Sequence, residues 1–168
     1  MLFRSRATNE PSNNFFAEML LKRLGAGKAK QGTTRRGARR VRRFAKRMGT
    51  RVRASDGSGL GRGNRASPKQ VGKLLRAMNK ADSADAYLDS LAIAGQEGTL
   101  AGRMRGTAAQ GRCAGKTGTL SGVSTLSGYC RVGGNQIAFS ILMNRVGNLS
   151  AAHSAQDRMV AAIARYRR

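Results

Sequence analysis

The chain has 168 residues, of which 32 are Lys or Arg and only 8 are Asp or Glu, so its formal net charge is +24. A hydrophobic fraction of 40% excludes wholesale disorder, and no apolar run approaches the roughly 18 residues of a membrane-spanning helix. The excess of positive charge suits contact with a polyanion, whether nucleic acid, anionic lipid or cell-wall polymer.

The first part of the chain predicts two helices. Residues 1–10 lack the apolar centre of a signal peptide. The turn cluster 11–14 then precedes apolar residues at helical spacing, so a helix begins at this cluster and ends near Gly25. Residues 37–48 predict a second helix with one apolar face and one face of six Arg and Lys side chains. That basic face is either a solvated surface or a polyanion contact.

The middle of the chain predicts a glycine-dense loop at 54–64, followed by two further helices. Ser67 as N-cap, Pro68 at the first helical position and Gln70 completing a capping box predict the start of the longer helix. A shorter helix follows around 84–91.

Residues 112–132 predict a β-hairpin with its turn at 120–123. In that register Thr117 faces Leu126, and the two cysteines of the chain, Cys113 and Cys130, face each other at a separation that suits a disulfide. A bridged pair favours an oxidising compartment, whereas two buried thiols would suit the cytosol.

The chain after the hairpin predicts a third antiparallel strand and a last helix. Residues 136–145 alternate with a period of two, and from Asn148 the period becomes helical, with Ala152, Ala155 and Met159 on one side. The predicted fold class is therefore α+β: helices, then a three-stranded antiparallel meander, then a C-terminal helix.

Two tripeptides carry the chemical prediction. Lys116-Thr117-Gly118 lies on a predicted strand, which argues against a phosphate-binding loop because that motif must open a helix. Ser12-Asn13-Asn14 lies at a helix mouth, and the combination S-x-N with K-T-G occurs in penicillin-recognising serine enzymes. The single His153 and the opposed cysteines offer no metal-ligand set, so neither a metal nor another cofactor is expected.

With these motifs the chain resembles the low-molecular-mass class C penicillin-binding proteins, the serine D-Ala-D-Ala carboxypeptidase/endopeptidase family. Five ordered blocks carry the resemblance, at residues 9–22, 56–68, 94–104, 114–123 and 127–130. The resemblance implies that residues 1–168 are the C-terminal part of one transpeptidase/β-lactamase-like domain, with a helical subdomain beside an antiparallel sheet. It also implies cleavage of the terminal D-Ala of peptidoglycan stem peptides, or of their cross-links.

The family's roles carry over to the matching positions. Ser12 would relay a proton, and Asn14 would hold the peptide carbonyl of the substrate. Lys116 would supply positive charge to the site. The backbone N–H of Thr119 would form one arm of an oxyanion hole.

The same resemblance implies how the Lys-Thr-Gly strand would bind the substrate. Thr117, with Gly118 beside it, would bind the terminal carboxylate of the substrate, and the strand edge would align an extended peptide. The complete enzyme would bind stem peptides and β-lactams outside the cytoplasm, and the Arg-rich helix would offer an anionic polymer a contact.

One family motif does not occur in this sequence. None of its serines has a lysine three residues later, so the S-x-x-K nucleophile and its base are absent. We therefore expect a C-terminal portion of such an enzyme that is inactive on its own. The alternative is a basic protein that binds nucleic acid through Arg35–Arg53, although the one aromatic residue of that run, Phe44, belongs to the predicted apolar face and is not placed for base stacking.

Overall fold

The computed structural model describes residues 2–27 and 31–166, which form two compact units. One unit comprises the described residues of Met1–Ser12 and Ala81–Arg168, and the other comprises those of Asn13–Lys80. The helices are α1 (Leu2–Asn9), α2 (Asn14–Ala26), α3 (Thr34–Arg47), α4 (Pro68–Met78), α5 (Ala84–Leu88) and α6 (Leu149–Ala164). The strands are β1 (Ala92–Ile93), β2 (Cys113–Leu120), β3 (Val123–Val132) and β4 (Asn135–Asn144). No helix among these residues is both long and apolar enough to cross a membrane.

The unit formed by Asn13–Lys80 is helical, and α2 and α4 begin where the polar caps predict. Helix α3 begins at Thr34, three residues before the predicted start, because Thr33 caps it. Asn13 caps α2 by accepting a hydrogen bond from the N–H of Phe16 at 2.9 Å. Ser67 and Gln70 form the predicted capping box at the start of α4, with Pro68 as the first helical residue. These caps satisfy N–H groups that have no partner inside the helix.

The glycine-dense loop 54–64 is ordered by one carboxylate in the same unit. Asp56 accepts hydrogen bonds from the N–H of Gly59 at 2.7 Å and from the side-chain amide of Asn64 at 3.0 Å. Gly57 packs so closely on α2 that an added Cβ would lie 2.6 Å from the carbonyl oxygen of Ala17. Its N–H donates to Glu18 at 2.7 Å, which ties the loop to that helix.

The other unit holds an antiparallel sheet in the order β1-β2-β3-β4. The predicted hairpin register is confirmed, because Thr117 pairs with Leu126 and Cys113 pairs with Cys130. The predicted meander is extended by a fourth strand, the two-residue β1, whose Ala92 pairs with Gly115. Helix α1 was not predicted either, since its sequence LFRSRATN has no apolar period.

The core of this unit lies between the sheet and α6, with Leu100, Leu126 and Val160 at most 1% exposed. The buried face of α6 differs from the predicted one. Met159 is 47% exposed, whereas Gln156 is fully buried and donates a hydrogen bond to Ser124 on β3 at 3.0 Å. A polar side chain occupies the core here because it has a polar partner, which the apolar period does not reveal.

Cys113 and Cys130 form a disulfide between β2 and β3, with an S–S distance of 2.09 Å. Replacing both by alanine should lower the free energy of unfolding by about 3 kcal/mol, because the unfolded chain loses a cross-link between residues 17 positions apart. Urea denaturation measures this change. A reducing agent should destabilise the wild type by a similar amount and leave the double variant unchanged; equal stabilities without reductant would contradict the prediction.

Candidate active site

Ser12 lies at the end of a tight turn that follows α1. Its backbone φ is 59°, a left-handed conformation that costs a non-glycine residue on the order of 1–2 kcal/mol. The turn is closed by a hydrogen bond from the N–H of Ser12 to the carbonyl of Asn9 at 3.2 Å. Such strain persists only where surrounding contacts impose it.

Two groups of contacts hold this turn within its unit. The side-chain amide of Asn9 donates to the buried hydroxyl of Ser90 at 2.9 Å. The N–H of Thr99 donates to the carbonyl of Glu10 at 3.2 Å. Gly98 is required beside it, because its φ is 58° and an added Cβ would lie 2.6 Å from that same carbonyl oxygen.

Lys116, on β2, contacts Ser12 directly. Its Nζ donates to Ser12 Oγ at 2.5 Å and to the carbonyl of Thr117 at 2.9 Å. The two residues are 104 positions apart in the chain. The structure therefore brings together one residue from each of the two tripeptides that the sequence singles out.

The ammonium group of Lys116 is half-buried, and burial lowers its pKa from 10.5 to about 8. Desolvation disfavours the charged amine. At neutral pH the group is mainly charged and supplies positive charge next to the Ser12 hydroxyl. Near pH 8 and above it becomes a base able to accept a proton from that hydroxyl.

This lowered pKa makes stability depend on pH. Between about pH 8 and 10.5 the unfolded chain binds more protons at Lys116 than the folded chain does, so the free energy of unfolding should rise with pH. The gain is at most about 1.4 kcal/mol per pH unit, and less because the group is partly solvated.

Urea denaturation from pH 7.5 to 9.5 compares the wild type with Lys116→Met. This window stays below the titration of Tyr87 and Tyr129, since burial raises the pKa of both phenols. The stability of the wild type should rise relative to the variant as the pH increases. Parallel curves would contradict the lowered pKa.

Thr117 lies next along β2, and its hydroxyl is paired. Its Oγ1 donates to the Oγ1 of Thr99 at 2.9 Å. Thr99 was not predicted as a site residue, although it lies inside one of the blocks that carry the family resemblance. Because Thr99 also bonds to the turn that bears Ser12, it links the two halves of the site within this unit.

The other predicted site residues are Gly118, Thr119 and Asn14, and their contacts differ from those of Ser12 and Lys116. Gly118 lies opposite Thr125, whose hydroxyl donates to its carbonyl at 3.3 Å and would clash with an added Cβ. Thr119 is exposed on β2 opposite Ser124. Asn14 is the first residue of α2 in the helical unit and is itself exposed. The predicted roles of Asn14 and Thr119 stay predictions.

Other chemistries find little basis in the described residues. Lys116 and Thr117 lie inside a strand, so the phosphate-loop geometry, which opens a helix, is absent from this segment. Within 2–27 and 31–166 no group of three or more His, Cys, Asp and Glu side chains is arranged to hold a metal ion. A serine, a half-buried lysine and two threonines at a strand edge suit proton transfer and the binding of a carboxylate.

Two carboxypeptidases are similar to this chain in sequence. The chain is 42% identical over 164 residues to a D-alanyl-D-alanine carboxypeptidase of Actinomadura sp. (strain R39), which covers 92% of this chain and 30% of that protein. It is 31% identical over 145 residues to penicillin-sensitive carboxypeptidase A of Dictyostelium discoideum, covering 79% of this chain and 28% of that protein. The chain thus spans less than a third of either relative.

A solved structure shows the same fold. Penicillin-binding protein 4 of Haemophilus influenzae, complexed with a β-lactam, superposes with a TM-score of 0.84 over 98% of this chain and 41% of its own, at 24% identity. The model of the D-Ala-D-Ala carboxypeptidase 3 (S13) family matches residues 5–166. This chain therefore belongs to the D-Ala-D-Ala carboxypeptidase 3 (S13) family.

Proposed function

We propose that this chain supplies part of the active site of a serine-type D-Ala-D-Ala carboxypeptidase or endopeptidase that acts on peptidoglycan stem peptides. The observation that carries the proposal is the contact between Ser12 Oγ and Lys116 Nζ at 2.5 Å. The family match and the two carboxypeptidase relatives support the same chemistry.

The residues divide the work between proton transfer and substrate binding. Ser12 passes a proton toward the leaving group, and Lys116 provides the charge that keeps its hydroxyl oriented. Thr117 binds the terminal carboxylate of the substrate by turning its one hydroxyl proton from Thr99 to that carboxylate. The backbone N–H of Thr119 stabilises the oxyanion, and removing one such donor typically costs on the order of 3 kcal/mol in the transition state.

Asn14 and Gly118 complete the proposed set. Asn14, two positions after Ser12, holds the peptide carbonyl of the substrate through its amide. Gly118 keeps the strand free of a side chain where an extended peptide would align along it. Such an alignment along a strand edge gives affinity through main-chain hydrogen bonds.

The nucleophile has to come from another segment, because no serine in this sequence precedes a lysine by three positions. We expect the purified chain to form no covalent adduct with a labelled penicillin, whereas a version extended with an S-x-x-K segment from its upstream coding DNA forms one. Gel fluorescence and intact mass measure the adduct. A stable adduct on the chain alone would overturn the assignment of the missing nucleophile, and a folded but unlabelled extended version would overturn the proposed function.

Partners and location follow from the same proposal. Stem peptides and β-lactams bind the complete enzyme, which works on the outer side of the cytoplasmic membrane. The exposed arginines of α3 favour contact with an anionic polymer there. The nucleic-acid-binding alternative has no support among the relatives described above.

A further inference from the structure

A cleft of about 430 Å³ opens in the helical unit where α3 ends and α4 begins. Four exposed cationic side chains line it: Lys46, Arg51, Lys69 and Lys73. No acidic residue and no aromatic residue belongs to its lining. The cleft lies within one compact unit and uses none of the residues assigned to the peptidase site.

The wall of the cleft is fixed by a buried hydroxyl. Thr50 is 6% exposed, and its N–H donates to the carbonyl of Ala45 at 3.0 Å. Its Oγ1 donates to the carbonyl of Gln70 at 3.3 Å, which joins the end of α3 to the first turn of α4. The four cations therefore surround a defined backbone rather than a loose loop.

The positive charge of the cleft is not compensated by the protein. In the part of the chain that the structure describes, none of the four side chains forms an ion pair or a hydrogen bond. Lys69 and Lys73 are also four residues apart on α4, a like-charge spacing that destabilises a helix. An anion bound in the cleft would relieve this repulsion.

We propose that this cleft binds phosphate groups of an anionic phosphodiester polymer. Lysine ammonium groups bind phosphate as point charges, and Arg51 adds a bidentate donor. The exposed arginines of α3 in the same unit extend the positive surface beyond one phosphate, which suits a chain of them. The cleft offers no aromatic surface for base stacking, so a polyol phosphate fits it better than a single-stranded nucleic acid.

The choice of a cell-wall polymer rests on the proposed function, which places the enzyme at the cell wall. The phosphate-binding site itself does not depend on the proposed function. The test uses the purified chain and a fluorescent poly(glycerol phosphate) oligomer, with binding followed by fluorescence anisotropy at several salt concentrations. Lys46→Gln/Lys73→Gln should weaken binding by about thirtyfold and make its salt dependence shallower. Circular dichroism verifies that the variant is folded.

The matched control is Arg76→Gln/Lys80→Gln, which also removes two exposed cations from the same unit but changes neither the cleft lining nor the arginines of α3. We expect the control to weaken binding by less than about threefold. Equal losses in the two double variants would show that general basicity drives binding, and would overturn the site.

Two competitors test the chemistry of the ligand. Polyglutamate of equal charge should compete at least about tenfold more weakly than the unlabelled oligomer. Equal competition would overturn the phosphate preference, and single-stranded DNA competing better than the oligomer would overturn the wall-polymer assignment. Penicillin acylation tests the peptidase site through other residues, so either proposal can fail without the other.

Discussion

Replacing Ser12 by alanine should lower the second-order rate constant for acylation by a labelled penicillin by about 10²- to 10⁴-fold in a version of the chain that carries S-x-x-K. The hydroxyl oxygen of Ser12 accepts a hydrogen bond from the ammonium group of Lys116 at 2.5 Å, and this hydroxyl is the proposed path for the proton. Stopped-flow or quenched labelling at pH 7 measures the rate constant, and the midpoint of urea denaturation checks the fold.

A second substitution separates the effect of the hydroxyl on the acylation rate from the effect of the backbone strain at the same position. Ser12→Gly also removes the hydroxyl, but glycine adopts the φ of 59° without strain and should stabilise the turn. If the hydroxyl carries the effect, the glycine and alanine variants lose the same fraction of the rate. An active Ser12→Gly variant would mean that Ser12 acts only by shaping the turn.

An exposed serine far along the chain provides the control substitution. Ser154 lies on the exposed side of α6, so Ser154→Ala should leave the acylation rate unchanged within about twofold. A comparable loss in this control would contradict a specific role for Ser12.

The sequence predicted the hairpin register correctly because two cues required the same pairing. The turn position and the opposed cysteines both place Cys113 beside Cys130. The starts of α2 and α4 were predictable for a similar local reason, since Asn13 and the Ser67/Gln70 box satisfy N–H groups within a few residues. Strand β1 was missed because two residues carry no period.

Burial was harder to predict than secondary structure. Phe15 and Leu24 at the apolar positions of α2 are 66% and 53% exposed, whereas Leu21 and Gly25 are buried. Gly25 is buried because α3 approaches it: an added Cβ would lie 2.7 Å from the backbone nitrogen of Gly37. Close approach of two backbones depends on small residues from distant segments, which periodicity within one helix does not show.

In the candidate site, too, local motifs were predictable from the sequence, whereas contacts between distant segments were not. The tripeptides indicated that Ser12 and Lys116 belong together, but the lowered pKa of Lys116 arises from burial in the folded unit. Thr99 was missed because threonine in a turn has no local signature of a site. Its role follows from two tertiary hydrogen bonds, to Glu10 and to Thr117.

The segment that carries Thr99 is held in place by Arg103, and replacing Arg103 by leucine should lower the free energy of unfolding by about 3 kcal/mol. The guanidinium donates to Asp157 at 2.6 Å and 3.0 Å, to the side chain of Gln156 at 3.1 Å and to the carbonyl of His153 at 3.2 Å. Both partners of the ion pair are mostly buried, with 13% and 23% of their side chains exposed. Leucine leaves the Asp157 carboxylate without its counter-charge.

Urea denaturation of three variants of the chain gives the test. Arg105→Leu is the matched control. Among the described residues the Arg105 guanidinium bonds only to the nearby carbonyl of Ala101, at an exposed site, so this substitution should cost less than about 1 kcal/mol. Arg103→Leu/Asp157→Leu should recover part of the loss, because removing the second charge removes the unpaired carboxylate. If Arg103→Leu and Arg105→Leu were equally stable, the contacts of Arg103 would not hold this segment against α6. The position of Thr99 beside Thr117 would then depend on its backbone bond to Glu10 and on the buried Leu100 next to it.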